Sequence, residues 1–266
     1  DHIVASTGSL QNAKKVLTAT QLNRWNEAKT ANKPVLIVTE EEAREKEKSK
    51  SKKSKTWVYK ADSVRDFAFA TSRKFIWDAM GVQIANKRPM AMSYYPKEGN
   101  PLWEEESTWA VAKTLKTYSK YTVDYPYPVA ISVHAASIGM EYPMICFNFG
   151  RPNPDGTVSD RTKYGMIGVI IHEVGHNFFP MIINSDERQW TWMDEGLNSF
   201  VQYLCQKEEY DNFPHRRGPA ASIIPYMKGD PQYIRPIMTN SEQILQFGNN
   251  AYAKPAVALN ILRETI

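Results

Sequence analysis

The spacing of apolar and polar positions changes along the chain. "KPVLIVTE" (33–40) and "KTWVYKA" (55–61) run β-branched and aromatic residues together, which predicts strands. "VRDFAFATSRKFIWDAM" (64–80) alternates, with Phe67, Phe69 and Thr71 on one face, again as a strand would. From Tyr94 the period lengthens. "PLWEEESTWAVAKTLKTYSKYT" (101–122) repeats Ala112, Leu115 and Tyr118 every three residues, with Val111 beside them, and predicts a helix with one core face. Its acids Glu104 to Glu106 come first and Lys113, Lys116 and Lys120 come last, matching the helix dipole. "YPYPVAISVHAAS" and "PMICFNFG" then predict two strands. "GMIGVIIHEVGHNFF" predicts an apolar helix stopped by Pro180. "DEGLNSFVQYLCQKEEY" is amphipathic, with Leu197, Phe200, Val201, Leu204 and Cys205 on one face. Residues 214–248 predict short helices and loops, and "PAVALNILRETI" a last helix with Pro255 in its first turn. Strands followed by helices predict an α+β fold.

Between the first two strands, "EEEAREKEKSKSKKSK" (40–55) is acidic and then basic. No aromatic residue interrupts the charge to stack a base, so it reads as a solvated hairpin loop rather than a nucleic-acid arm.

The 266 residues suit one large domain or two modest ones, and 42% apolar content can bury a core. The net charge of +4 is mild and local, which argues against a nucleic-acid face. Cys146 and Cys205 are the only cysteines, too few for a disulfide framework or a thiolate cluster, and read as buried free thiols. No apolar run reaches the roughly 18–20 residues of a membrane span. The chain starts at Asp1 and ends in helical pattern, and so reads as a piece of a longer protein.

The chemistry-bearing motif is His172-Glu173-Val174-Gly175-His176. Four residues turn a helix by about 400°, so the two imidazoles project from one side, one turn apart. That suits two nitrogen ligands on one zinc, with Glu173 able to reach a water without ligating. Chance gives this pattern in roughly one chain in a hundred of this length. A catalytic zinc takes three protein ligands and keeps one position open. Glu195, eighteen residues beyond His176 at the start of the next helix, is the candidate third ligand. On its own it is equally a helix-start acid favoured by the dipole, and Asp194 is either its competitor or a group behind a ligand.

A His-Glu-x-x-His helix followed by eighteen residues and Glu resembles the gluzincin metallopeptidases, in particular bacterial-type members of the aminopeptidase N and leukotriene hydrolase family. That family carries "GAMEN" upstream and "Tyr-x-Lys-Gly" downstream. Here Ile138-Gly139-Met140-Glu141-Tyr142 and Tyr252-Ala253-Lys254-Pro255 stand in the same order, so the resemblance covers at least 125–266. Ile138, Gly139 and Tyr142 depart from "GAMEN", Pro255 replaces a glycine, and Asp194 replaces the asparagine before the ligand glutamate.

The resemblance implies a thermolysin-like catalytic domain at 81–266, cut short at its C-terminus, preceded by the C-terminal part of an all-β, saddle-shaped domain at 1–80. It implies one Zn²⁺ per chain on His172, His176 and Glu195, with Glu173 as general base. It implies Tyr252 as the oxyanion donor and Glu141 as the anchor of a substrate α-ammonium. Gly139 and Met140 would pair with the substrate, and Met140 would line its first side-chain pocket. The implied activity is removal of N-terminal residues from peptides with a free N-terminus by zinc-activated water. The altered "GAMEN" keeps a gluzincin endopeptidase or epoxide hydrolase open as alternatives, and a catalytically idle zinc-binding module is a third. Nucleic-acid partners are not expected, and oligomeric state and compartment are not fixed by the sequence.

Overall fold

The computed structural model describes residues 1–266, which form two compact units, Asp1–Val174 and Gly175–Ile266. Helix and strand are mixed, as an α+β reading requires.

The first unit holds β1 (Ile3–Ser6), β2 (Ser9–Leu10), α1 (Ala13–Val16), α2 (Ala19–Ala28), β3 (Val35–Val38) and α3 (Glu40–Lys48). β4 (Tyr59–Lys60), β5 (Phe69–Ser72), β6 (Ile76–Gly81), β7 (Met90–Tyr95) and α4 (Leu102–Tyr121) follow. Then come β8 (Val129–His134), β9 (Gly139–Tyr142), β10 (Ile145–Asn148) and α5 (Asp160–Gly175), whose last residue is the first of the second unit. The central sheet is six-stranded, in the order β3-β6-β7-β8-β10-β9, and draws strands from both sides of residue 80. β7–β8 and β8–β10 are parallel, while β10–β9 is an antiparallel hairpin that leaves β9 at the edge. The hairpin turns at Pro143-Met144, and Met144 holds φ 66. Proline followed by a positive φ is the pattern of a type II turn. Two small sheets, β1–β5 and β2–β4, stand apart from the central one.

β6 and β7 are buried at every residue, because α4 covers one face. Val111, Ala112, Leu115 and Tyr118 of α4 are buried, as the three-residue spacing predicts. The seam is not wholly apolar. Ser93 and Ser107 hydroxyls lie 2.7 Å apart, Thr108 donates to Ser93 at 2.7 Å, and Asn148 donates to Ser132 at 2.8 Å. Asp78 of β6 is 1% exposed and accepts from the Tyr95 hydroxyl at 2.6 Å.

Two sequence expectations are corrected. The charged run after β3 is not a loop at its start: α3 occupies Glu40–Lys48. Thr39 and Glu42 form a reciprocal capping box, three glutamates occupy the first turn, and lysines stand in the last. Capping, dipole match and the Arg44–Glu40 pair make a helix of a segment with almost no apolar face. The strand expected across 55–61 shortens to the two residues of β4. On β5 the alternation holds, but Phe69 and Thr71 are on the exposed face.

The second unit comprises α6 (Leu197–Glu209), α7 (Ile224–Met227) and α8 (Lys254–Thr265), with single-turn helices between them. Two π-helical turns occur, at Trp192–Gly196 and Gly248–Ala253, while Asn177–Ile182 is broken by the extended Phe179. Pro255 stands in the first turn of α8 as expected. Asn250 is fully buried and donates to the carbonyls of Arg235 and Pro236, tying the last π-turn to the preceding loop. Both cysteines are buried and free. No helix is long and apolar enough to cross a membrane.

Candidate metal centre

α5 carries His172 and Glu173, which are 8% and 6% exposed. Glu173 lies against the backbone of β9. A Cβ built on Gly139 would stand 2.6 Å from its Oε1 and 2.7 Å from Val169 Cγ2. Only glycine lets the helix carboxylate approach the strand this closely. On the same strand, Met140 pairs with Phe147 and Glu141 with Cys146, both half-buried.

The helical backbone continues through His176 (φ −60, ψ −17), so His172 and His176 lie one turn apart along one run. Phe179 is then extended (φ −130, ψ 109) and Pro180 follows, which ends the helix. The freed Phe179 carbonyl accepts from His176 Nδ1 at 2.8 Å. Asp194 Oδ1 stands 2.8 Å from the same nitrogen. With the Phe179 carbonyl accepting from Nδ1 and the Asp194 carboxylate beside it, Nε2 is left as the ligating nitrogen.

Nε2 faces Glu195 Oε2 at 3.4 Å. That separation is long for a hydrogen bond. It equals the edge of a tetrahedron whose metal–ligand bonds are about 2.0–2.1 Å, the zinc values. Glu195 Oε1 accepts from the Tyr252 hydroxyl at 2.7 Å. His176 and Glu195 thus face each other as an imidazole and a carboxylate, donor types that zinc takes in hydrolases, and His172 stands one helical turn before His176. Asp194, open in the sequence as a competing ligand or a group behind a ligand, stands beside Nδ1 of His176 and is itself a potential metal donor.

Local packing explains why these side chains meet. A Cβ on Gly196 would stand 2.3 Å from Pro255 Cγ and 2.9 Å from the Ala251 carbonyl. Glycine after Glu195 thus lets the Trp192–Gly196 turn press onto the start of α8, next to Tyr252. Sequence reasoning missed Arg217. Its guanidinium carbon lies 4.2 Å from the centroid of the Tyr252 ring, and its Nη1 approaches Ser199 Oγ at 3.4 Å. The neighbouring Gly218 was the available signal: it adopts φ +102, and a Cβ there would stand 2.3 Å from the Tyr203 ring.

Solved structures similar to this chain in fold include M1 zinc metallopeptidases. In particular, the M1 zinc metallopeptidase of Deinococcus radiodurans matches with TM-score 0.64 at 15% identity, over 100% of this chain and 50% of that one. An alanine variant from that organism matches at 0.62 and 14%, with the same coverage. An alanine variant of a two-domain M1 zinc metallopeptidase bound to L-arginine matches at 0.63 and 14%, also with that coverage. The chain therefore has an M1-like fold and spans about half the length of the solved chains it matches. No family model matches it.

Proposed function

We propose that this chain is the catalytic part of a zinc metallopeptidase, and specifically of an aminopeptidase that takes peptides with a free N-terminus. The observation that carries the reading is His176 Nε2 facing Glu195 Oε2 at 3.4 Å, with Tyr252 bonded to the same carboxylate. His172, His176 and Glu195 would hold one zinc, which when bound polarises a carbonyl and acidifies a water. Glu173 is the general base. It takes the water's proton and passes it to the leaving amine, a role worth about 10²–10⁴-fold. Tyr252 exchanges Glu195 for the tetrahedral oxyanion as acceptor, worth on the order of 3 kcal/mol.

The exopeptidase reading rests on β9. Its outer edge has no strand partner, so an extended peptide can add there by main-chain pairing. Glu141 on that strand binds the substrate α-ammonium, Gly139 and Met140 pair with the substrate backbone, and Met140 lines its first side-chain pocket. The matched enzyme solved with L-arginine holds a free amino acid, the kind of product such a reaction releases. The small sheets β1–β5 and β2–β4 are the part we assign to the end of a preceding β domain.

The test is a panel of aminoacyl and N-blocked peptides with metal analysis, on the wild type, Glu173→Gln and Glu141→Ala. Zinc with cleavage of free N-termini only, lost in Glu173→Gln and weakened in KM by Glu141→Ala, is the expected result. Cleavage of blocked peptides makes it an endopeptidase, turnover of an epoxide alone makes it an epoxide hydrolase, and zinc without hydrolysis makes it a binding module.

A further inference from the structure

We infer that Arg217 is the positioning residue of Tyr252, holding the phenol ring while its hydroxyl changes partner. The inference deepens the aminopeptidase reading and rests on it for the role of Tyr252.

In the resting arrangement the Tyr252 hydroxyl donates to Glu195 Oε1 at 2.7 Å. To serve an oxyanion, the hydroxyl must leave that carboxylate without the ring losing its place. Phe247 and Arg217 both hold the ring. Phe247 meets it at 6.0 Å with the planes 62° apart, and the Arg217 guanidinium lies over its face at 4.2 Å. A guanidinium stacks as a plane, so it fixes the tilt of the ring and not only its distance. Its charge also favours electron density moving onto the phenol oxygen as that oxygen's proton is shared with an acceptor.

Arg217 is itself held. Gly218 follows it at φ +102 with its α-carbon against the Tyr203 ring. Tyr203 is buried and braced edge-on by His215 at 5.0 Å. Ser199, fully buried on α6, receives the Arg217 Nη1 at 3.4 Å. The loop 213–218 therefore has a fixed backbone on both sides of the arginine, and α6 carries both of its supports only a few residues beyond Glu195. Lysine would keep the charge but lose the stacking plane and the second contact.

Arg217→Met and Arg217→Lys, each alone and combined with Tyr252→Phe, test this in the zinc-loaded protein. The assay is kcat and KM on an aminoacyl anilide, with zinc content measured for every variant. Arg217→Met should lower kcat roughly tenfold and leave KM within about twofold. It should cost nothing more once Tyr252 is Phe, because its effect runs through that ring. Arg217→Lys should restore only part of the loss. A loss of the same size in the Tyr252→Phe background, or one confined to KM, overturns the assignment. Should the wild type hydrolyse no aminoacyl substrate, the parent reading fails, and 3-fluorotyrosine placed at position 252 still decides the inference. Arg217→Met should shift and broaden its ¹⁹F resonance, and an unchanged resonance overturns it.

Discussion

Asp78 is a buried carboxyl that accepts from the Tyr95 hydroxyl at 2.6 Å. Burial lifts it from an ordinary 3.8 to about 7, against the lowering effect of the Thr108 and Tyr95 hydroxyls. Below pH 4 the group is neutral in both folded and unfolded chains. Above 7 it is ionised in both. In between the unfolded chain gives up its proton first, so stability falls as pH rises. Each unit between the two values is worth about 1.4 kcal/mol, so the ionised group costs the fold roughly 4 kcal/mol above neutrality. About 2.5 kcal/mol of that develops between roughly pH 5 and pH 8.

Asp78→Asn keeps the shape and an acceptor for Tyr95 but cannot ionise. Urea unfolding of the wild type and the variant at about pH 5 and pH 8 isolates the group, because every other titration cancels in the difference. The variant should gain about 2–3 kcal/mol on the wild type as pH rises across that range. A gap that moves by less than about 0.5 kcal/mol would refute the reasoning, since the buried carboxyl would then titrate alike in both states.

The acid limb has a different source: His134 is held down to about 4 by burial, with the Arg151 charge adding to it. The folded state refuses a proton the unfolded chain accepts, so stability falls as pH drops from about 6.5 towards 4, and His134→Gln should flatten that fall in the same urea series. Gly139→Ala should push the Glu173 carboxylate off β9, lowering turnover at least tenfold while zinc content holds and stability changes by less than about 1 kcal/mol. His176→Ala should lose zinc on dialysis and show no further fall in melting temperature with a chelator, whereas the chelator lowers that of the wild type. A chelator effect of equal size in both would place the metal elsewhere.

Long-period patterns were legible because they depend on the chain's own neighbours. α4, α5, α6 and α8 fall where the apolar spacing and prolines put them, and the buried residues of α4 are those the spacing selects. α3 was not legible from periodicity, since it has only Ala43 as a buried residue. Its evidence was the Thr-x-x-Glu cap, which a reading for apolar faces passes over. The shortened β4 has a similar cause: a β-branched run says that residues can extend, and only a partner strand says how far. At the site, the histidine pair is local and was readable. Arg217 was not, because its position depends on a loop whose conformation is set by one left-handed glycine and one ring.

The departures from the resembled motifs have a common physical character. Gly139 is where Glu173 lies against the strand backbone. Pro255 is the residue that packs against Gly196, one position after Glu195. Asp194 puts its carboxylate on His176 Nδ1 where an asparagine would put an amide. Gly139 and Asp194 thus lie against candidate site residues, Pro255 lies against the residue after one, and His172, His176 and Glu195 are unaltered. Changes behind the donors alter orientation, basicity and the room left for substrate, not the identity of the ligands. A carboxylate on Nδ1 makes the imidazole a stronger donor than an amide would, and a bare glycine on β9 lets a carboxylate stand closer to a docked strand. On the proposed reading, these positions are where substrate preference along β9 and zinc affinity would depart from those of the resembled family.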